Sequence, residues 1–204
     1  MSLTTDLNGR SGALSKKDTL VKTAARLFAA QGFDATTTIQ IAREARITEP
    51  LIYYHFKGKE DLFLHILEKG SDGYLSRMKT LGEGGPVQFK RIEKLITLHF
   101  DIVRDMPDET YLIASACPAR LRDEGDVCAR IAETQRKFLT SYLRDCLKKG
   151  MASGEFWKVP VEPTVNVLIA LINGLIRQRC LRLEQVRGMK KATIEFCRRS
   201  LCKP

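Results

Sequence analysis

Apolar residues recur three and four positions apart along most of the chain. No stretch alternates apolar and polar residues between turn signals, so the pattern predicts helices and no sheet. Leu20, Ala24, Leu27 and Phe28 share one face of a first helix. It opens at Ser15, with Asp18 three residues on, and stops at Gly32, after which Phe33 is expected to fold back over the last turn. Thr37 then caps a short helix whose inward face is Ile41, Ala42 and Ala45, and Gln40 is placed to reach back to the cap amide. After the link Arg46-Ile47, Thr48 is expected to cap a third helix from Glu49 to His55, with Pro50 tolerated in its first turn. A longer helix from Lys59 to Leu81 carries Leu62, Phe63, Ile66, Leu67, Tyr74 and Met78, and the stretch from Gly82 to Pro86 breaks it. Val87 to Arg104, Asp108 to Ala116, Val127 to Lys149, Glu162 to Arg182 and Met189 to Leu201 bring the total to about nine helices in an all-α fold.

Composition narrows the class. With 204 residues, 44% hydrophobic and 28% charged, the chain can bury a core unaided and falls outside the disordered, collagenous and disulfide-scaffold ranges. Its longest apolar run, Val165 to Ile176, includes Asn166 and Asn173 and is too short to span a bilayer, so no membrane association is expected. Residues 1 to 14 show no basic start leading into an apolar run, and a cytoplasmic location is expected. The six cysteines form no Cys-x-x-Cys pair and no set with histidine at ligand spacing, which predicts reduced thiols and no metal site. The formal charge of +10 favours an acidic partner such as nucleic acid. Most of that excess nevertheless lies late in the chain, since residues 177 to 204 hold 9 basic groups against 2 acidic ones.

The run from Thr37 to Leu62 resembles the DNA-binding signature of the TetR family of bacterial transcriptional regulators. The residues that carry the resemblance are Gly32-Phe33, Thr37, Ile41-Ala42, Ala45, Ile47-Thr48, Tyr53, His55-Phe56, Lys59-Glu60 and Leu62, in register over about thirty positions. Gly154-Glu155-Phe156 before an apolar helix adds to it. Two positions depart from the family pattern. Arg46 stands where the turn usually has Gly, at a cost of roughly 1 kcal/mol if it is left-handed, and Glu49-Pro50 replaces a frequent Lys and Gly. The resemblance implies a flexible segment at 1–14, a helix-turn-helix DNA-binding domain at 15–62 and a helical ligand-binding and dimerisation domain at 63–204. It also implies a homodimeric repressor that binds a palindromic operator on double-stranded DNA and is released by a small-molecule inducer.

The chemistry of the first domain fits that reading. A helix fits the major groove, so the helix from Glu49 to His55 would present Glu49, Pro50, Tyr53, Tyr54 and His55 to base edges and sugars. Thr37, Thr38 and Thr48 lie at helix N-termini, where free amides attract phosphate, and Lys59 opens the next helix. Ile41, Ala42, Ala45, Ile47, Ile52 and Phe56 read as core.

In the second domain, Phe89, Ile92, His99, Phe100, Val103, Tyr111, Phe138, Tyr142 and Trp157 are candidates to line a ligand pocket, with plain core packing as the alternative. Val165, Leu168, Ile169, Ile172, Leu175 and Ile176 surround their helix on more than one face. With Ile194 and Leu201 they are expected to build a four-helix dimer interface, two helices from each subunit, against packing within one subunit as the alternative. Cys197 and Cys202 stand near Arg198, Arg199 and Lys203, which raises a second possibility, a thiol-based redox sensor. No nucleophile and base, paired carboxylates or phosphate loop is visible, so no enzyme activity and no cofactor are expected. Two further readings stay open: a DNA-binding protein of architectural type without sequence choice, and a small-molecule-binding protein whose reading head no longer binds DNA.

Overall fold

The computed structural model describes residues 15–82, 85–115, 117, 118, 121, 127–180 and 187–204; the expected flexible segment at 1–14 lies outside them. Among the described residues there are nine helices and no strand: α1 (Lys16–Gln31), α2 (Thr38–Ala45), α3 (Glu49–His55), α4 (Lys59–Lys79), α5 (Gln88–Asp105), α6 (Pro107–Ala114), α7 (Val127–Ala152), α8 (Val161–Cys180) and α9 (Met189–Leu201). The chain forms two compact units, one ending at Phe63 and the other starting at Leu64.

The first unit is built by local signals. The Ser15 hydroxyl accepts the Asp18 amide at 3.0 Å and caps α1, and at the other end Gly32 takes φ +86° while its N–H still reaches the Phe28 carbonyl. That turn lays Phe33 on Phe28 with ring centroids 5.7 Å apart, and Phe63 meets both rings edge-on at 5.2 and 5.1 Å. Leu20, Ala24, Ile41, Ile52 and Leu62 are fully enclosed around this cluster. At roughly 1.5–3 kcal/mol for each large side chain withdrawn from water, so small a unit depends on every one of them.

In the second unit α5 packs against α6, α7, α8 and α9. Helix α4 stops two residues before the expected end, because Thr80, Leu81 and Gly82 close with tight bonds to the carbonyls three residues back. Helix α7 runs three residues past its expected end, through Gly150 to Ala152. Gly150 is needed there, since a Cβ at this position would fall inside the Phe156 ring. The turn that carries Phe156 has Gly154 at φ +79° and places the Glu155 carboxylate on α5, where it accepts from the backbone N–H groups of Gln88 at 2.7 Å and Phe89 at 2.8 Å. Val87, the residue at the cap position, supplies no such bond, so a carboxylate 66 residues away caps α5 and complements its dipole. The same turn receives the chain end through Lys203 N–H to Glu155 O at 3.0 Å and Trp157 N–H to Leu201 O at 2.9 Å.

Two stability predictions follow from this joint. Gly150→Ala forces the ring aside in a filled core and is expected to cost about 1–3 kcal/mol, read as a lower urea midpoint at unchanged slope. Glu155→Ala is expected to cost about 1–2 kcal/mol by the same measurement, and Glu155→Gln less, because the amide oxygen still accepts.

Candidate nucleic-acid interface and helical cavity

The reading head consists of α2, a three-residue turn and α3. The Thr37 hydroxyl accepts the Gln40 amide at 3.1 Å, as a cap must. The Gln40 side chain does not reach back to the cap; it exchanges two bonds with Gln31, at 2.7 and 3.2 Å, so the expected capping box is replaced by a brace to α1. Arg46 sits at φ 55°, ψ 46°, so the turn keeps its left-handed residue without glycine, at the cost expected above. Thr48 has the extended backbone of an N-cap, yet its hydroxyl makes no capping bond, which corrects the expected role and leaves that oxygen at the exposed start of α3.

Helix α3 separates its two faces cleanly. Ile52 is fully buried, whereas Tyr53 is 54% and Tyr54 80% exposed. Two large aromatic rings held in water on a seven-residue helix contribute little to the core and are available to a partner. His55 is half-buried, with its ring edge-on to Tyr54 at 4.9 Å, and Pro50 and Thr37 are exposed. Glu49 is not free to meet a base, because Thr38 Oγ1 donates to its carboxylate at 2.6 Å and ties the start of α2 to the start of α3. The Lys59 ammonium donates to the Phe33 carbonyl at 2.9 Å and lies over the Phe33 ring, so it braces the unit in addition to any phosphate contact. One surface residue escaped the sequence reading: Ile39, in the first turn of α2, is 67% exposed. Its being out of phase with the inward Ile41 and Ala42 was the available signal.

The second unit holds a cavity of about 390 Å³ lined by residues of α4, α5, α6, α7 and α8. Its wall is Ile102, Met106, Ile113, Leu139, Ile169 and Ile176, with Tyr74, Glu109, Thr110, Gln135, Arg136, Asn173 and Arg177 as polar members. Small residues open it: Gly70, Ala114 and Ala132 line it, and a Cβ on Gly70 would stand only 3.1 Å from Glu109 Cβ and 3.2 Å from Ile113 Cδ1. Beside it, Tyr74 Oη lies 2.9 Å from His99 Nε2, and His99 Nδ1 lies 2.7 Å from the Leu95 carbonyl. Burial holds the His99 pKa down at about 4, so the ring is neutral at neutral pH.

None of the nine expected pocket residues lines this cavity. Phe89 and Ile92 are core, and His99, Phe100 and Val103 face a narrow apolar cleft beside Ile172. Phe138 and Tyr142 stack at 6.2 Å next to the buried Arg91, whose guanidinium is 2.7 Å from Asp145. Tyr111 is half-buried on α6, and Trp157 is exposed under the Lys203 ammonium. Phe138 and Tyr142 also line a separate open cleft of about 430 Å³ with Arg91. Of the expected interface residues, Val165, Leu168, Ile172 and Leu201 are buried in their own subunit, and Ile169, Leu175, Ile176 and Ile194 are half-buried. The apolar and small residues that α8 and α9 leave outside, among polar ones, include Val167, Ala170 and Gly174 on one helix and Ala192 and Phe196 on the other.

The thiol expectations need correction. Cys117 and Cys128 are joined in a disulfide, which no spacing motif announced. Cationic neighbours do not lower the thiols near the chain end: burial pushes Cys197 up to about 11, and burial followed by the Glu155 charge raises Cys202 despite Arg198. Both are poor thiolates, which removes the basis for sensing there. Among the described residues no three potential ligands cluster for a metal, and no helix is long and apolar enough to cross a membrane.

An exposed aromatic helix set behind a tight turn on a three-helix core, followed by a larger all-helical unit, defines a helix-turn-helix fold. Residues 20–66 match the family model of bacterial regulatory proteins, tetR family. This stretch of the chain is similar to the DNA-binding domain of that family. It is 37% identical over 100 residues to the uncharacterised HTH-type transcriptional regulator YerO of Bacillus subtilis, a match covering 48% of this chain and 35% of the relative. The chain thus spans about a third of that relative's length. The solved ketosteroid transcriptional regulator KstR2 of Mycobacterium tuberculosis superposes with a TM-score of 0.74 at 19% identity, over 95% of this chain and 98% of the other. AibR, solved in complex with isovaleryl coenzyme A and operator DNA, superposes with a TM-score of 0.69 at 17% identity, over 90% and 96% of the two chains. These two likenesses concern the fold.

Proposed function

We propose that the chain is a transcriptional repressor that binds a palindromic operator as a homodimer and is released by a small-molecule inducer held in the cavity of its second unit. The observation that carries this reading is the Tyr53-Tyr54 pair, exposed on α3 while Ile52 behind it anchors the helix. In the major groove the rings would meet thymine methyls and sugars and the hydroxyls would meet phosphate, with Thr37, Thr38 and the uncommitted Thr48 hydroxyl fixing register, and with His55 and Lys59 beside the backbone.

The homodimer rests on the face left by α8 and α9. Val167 is 62% and Phe196 61% exposed, and Ala170 and Gly174 on α8 and Ala192 on α9, small enough for close helix packing, are exposed as well. The cavity has an apolar wall and a size within the range that holds small ligands. Binding there would shift the population toward a spacing of the two heads that no longer fits successive major grooves about 34 Å apart. Helix α4 supplies Lys59 to the head and Gly70 and Tyr74 to the cavity. AibR, solved with isovaleryl coenzyme A and operator DNA, supports a role that combines DNA binding with a small ligand. The protein would act in the cytoplasm and catalyse no reaction.

Mass in solution tests the dimer. Sedimentation is expected to give twice the 23.1 kDa chain mass, and Phe196→Glu to give the single chain, with weaker binding to DNA carrying two half-sites than to a dimer-competent control. A wild-type chain that sediments as a monomer while binding paired half-sites tightly would contradict the proposed interface.

A further inference from the structure

Three large apolar or aromatic side chains of the first unit are exposed among its described residues, and all three stand on the reading head. Ile39, in the first turn of α2, is 67% exposed, and Tyr53 and Tyr54 on α3 are 54% and 80% exposed. The bond from the Thr38 hydroxyl to Glu49 at 2.6 Å ties the N-terminus of α2 to that of α3. Ile39, the next residue, therefore belongs to the end of the head where a recognition helix presents its first residues to base edges.

The chemistry of that end is one-sided. In the major groove guanine is read by paired donors from Arg or Lys, adenine by Asn or Gln, and thymine by apolar contact with its C5-methyl group. Helix α3 reads Glu49-Pro50-Leu51-Ile52-Tyr53-Tyr54-His55 and has no Arg, Lys, Asn or Gln. Its carboxylate, which suits a cytosine amino group, is half-buried and takes the Thr38 hydroxyl, and on α2 Gln40 is committed to Gln31. His55 is half-buried and offers single donors without a fork. The exposed guanidiniums Arg43 and Arg46 lie late in α2 and in the turn, and Lys57 and Lys59 follow the far end of α3. Since the first helix of such a pair crosses the backbone, the charge of Arg43 and Arg46 serves phosphates. Ile39, Pro50 and the two tyrosine rings remain for the bases.

We infer that each operator half-site is read through thymine methyl groups, with Ile39 as a specificity-determining residue together with Pro50, Tyr53 and Tyr54, so that A·T pairs lie under the two helix N-termini. This assignment rests on the operator-binding reading of the head and adds to it the identity of the bases.

The test uses the full chain and the duplex it enriches from a random pool, against the same duplex with deoxyuridine for thymine in both half-sites, a change that removes only the methyl groups. Each methyl group seated against an apolar side chain is expected to contribute about fourfold in affinity, the effect of one buried carbon. Ile39→Ala is expected to erase the loss at one thymine in each half-site, while the losses at the other thymines and the salt dependence stay as in wild type. Its fold should be untouched, since the side chain lies in water. A deoxyuridine duplex bound as tightly as the thymine duplex overturns the inference, as does an Ile39→Ala variant that keeps every loss. A half-site of G·C pairs whose preference disappears in Arg43→Ala or Arg46→Ala overturns it too and moves base reading to those guanidiniums. The operator reading is separable: an enriched inverted repeat indifferent to deoxyuridine leaves it standing, whereas retention without any enrichment removes both.

Discussion

Changing Tyr53 and Tyr54 together to Ala is expected to abolish operator binding while leaving the fold intact. Each ring contributes about 1 kcal/mol at a base edge or sugar, and a dimer presents the pair twice, so the loss approaches roughly 4 kcal/mol, near a thousandfold in affinity. Because both side chains lie in water, stability should stay within about 0.5 kcal/mol of wild type. Fluorescence anisotropy on labelled operator at fixed salt gives the first number, and a urea titration gives the second. Equal DNA binding by the variant would remove α3 from the interface.

Acid lability centred on His99 is the second large effect. The ring is buried neutral with a pKa near 4, against about 6.5 when the chain unfolds. Between those values the unfolded chain binds the extra proton and the folded chain does not, so stability rises with pH there. It is fully present above about pH 6.5 and is lost as the pH falls toward 4. The whole window corresponds to about 3 kcal/mol. Carboxylates held low by arginine partners, such as Asp105 beside Arg77 and Arg104, also lose their contribution in acid, but only as the pH falls through their own depressed range. The informative quantity is therefore the difference between wild type and His99→Gln in urea midpoints from pH 7.5 to 4.5. That difference should narrow as the pH falls. A constant gap would mean that His99 does not titrate in this window.

What could be read from the sequence was what local chemistry decides. Caps and punctuation (Ser15, Gly32, Thr37 and Pro50) act within a few residues, and the predicted bounds of α3 and α9 coincide with the observed ones. The outward placement of Tyr53 and Tyr54 followed from the phase of Ile52 and Phe56. Features made by residues distant in the chain were not readable. Nothing near Glu155 shows that it caps a helix beginning at Gln88, and nothing near Thr38 shows that its hydroxyl holds Glu49. On α8 both faces are apolar, so periodicity alone does not say that Val165, Leu168 and Ile172 go inward while Val167, Ala170 and Gly174 stay outside. The cavity escaped for a related reason, since Gly70, Ala114 and Ala132 shape it by what they lack.

The measurement closest to the central claim is selection of DNA from a random pool by the purified full chain, at two salt concentrations, followed by the mass of the complex on the enriched sequence. The account predicts an inverted repeat with half-sites about one helical turn apart, or a multiple of it, bound by an even number of chains and still preferred at the higher salt. Retention without enrichment, falling steeply with salt, would contradict sequence-specific regulation and point to an architectural binder, and no retention at all would contradict a working reading head.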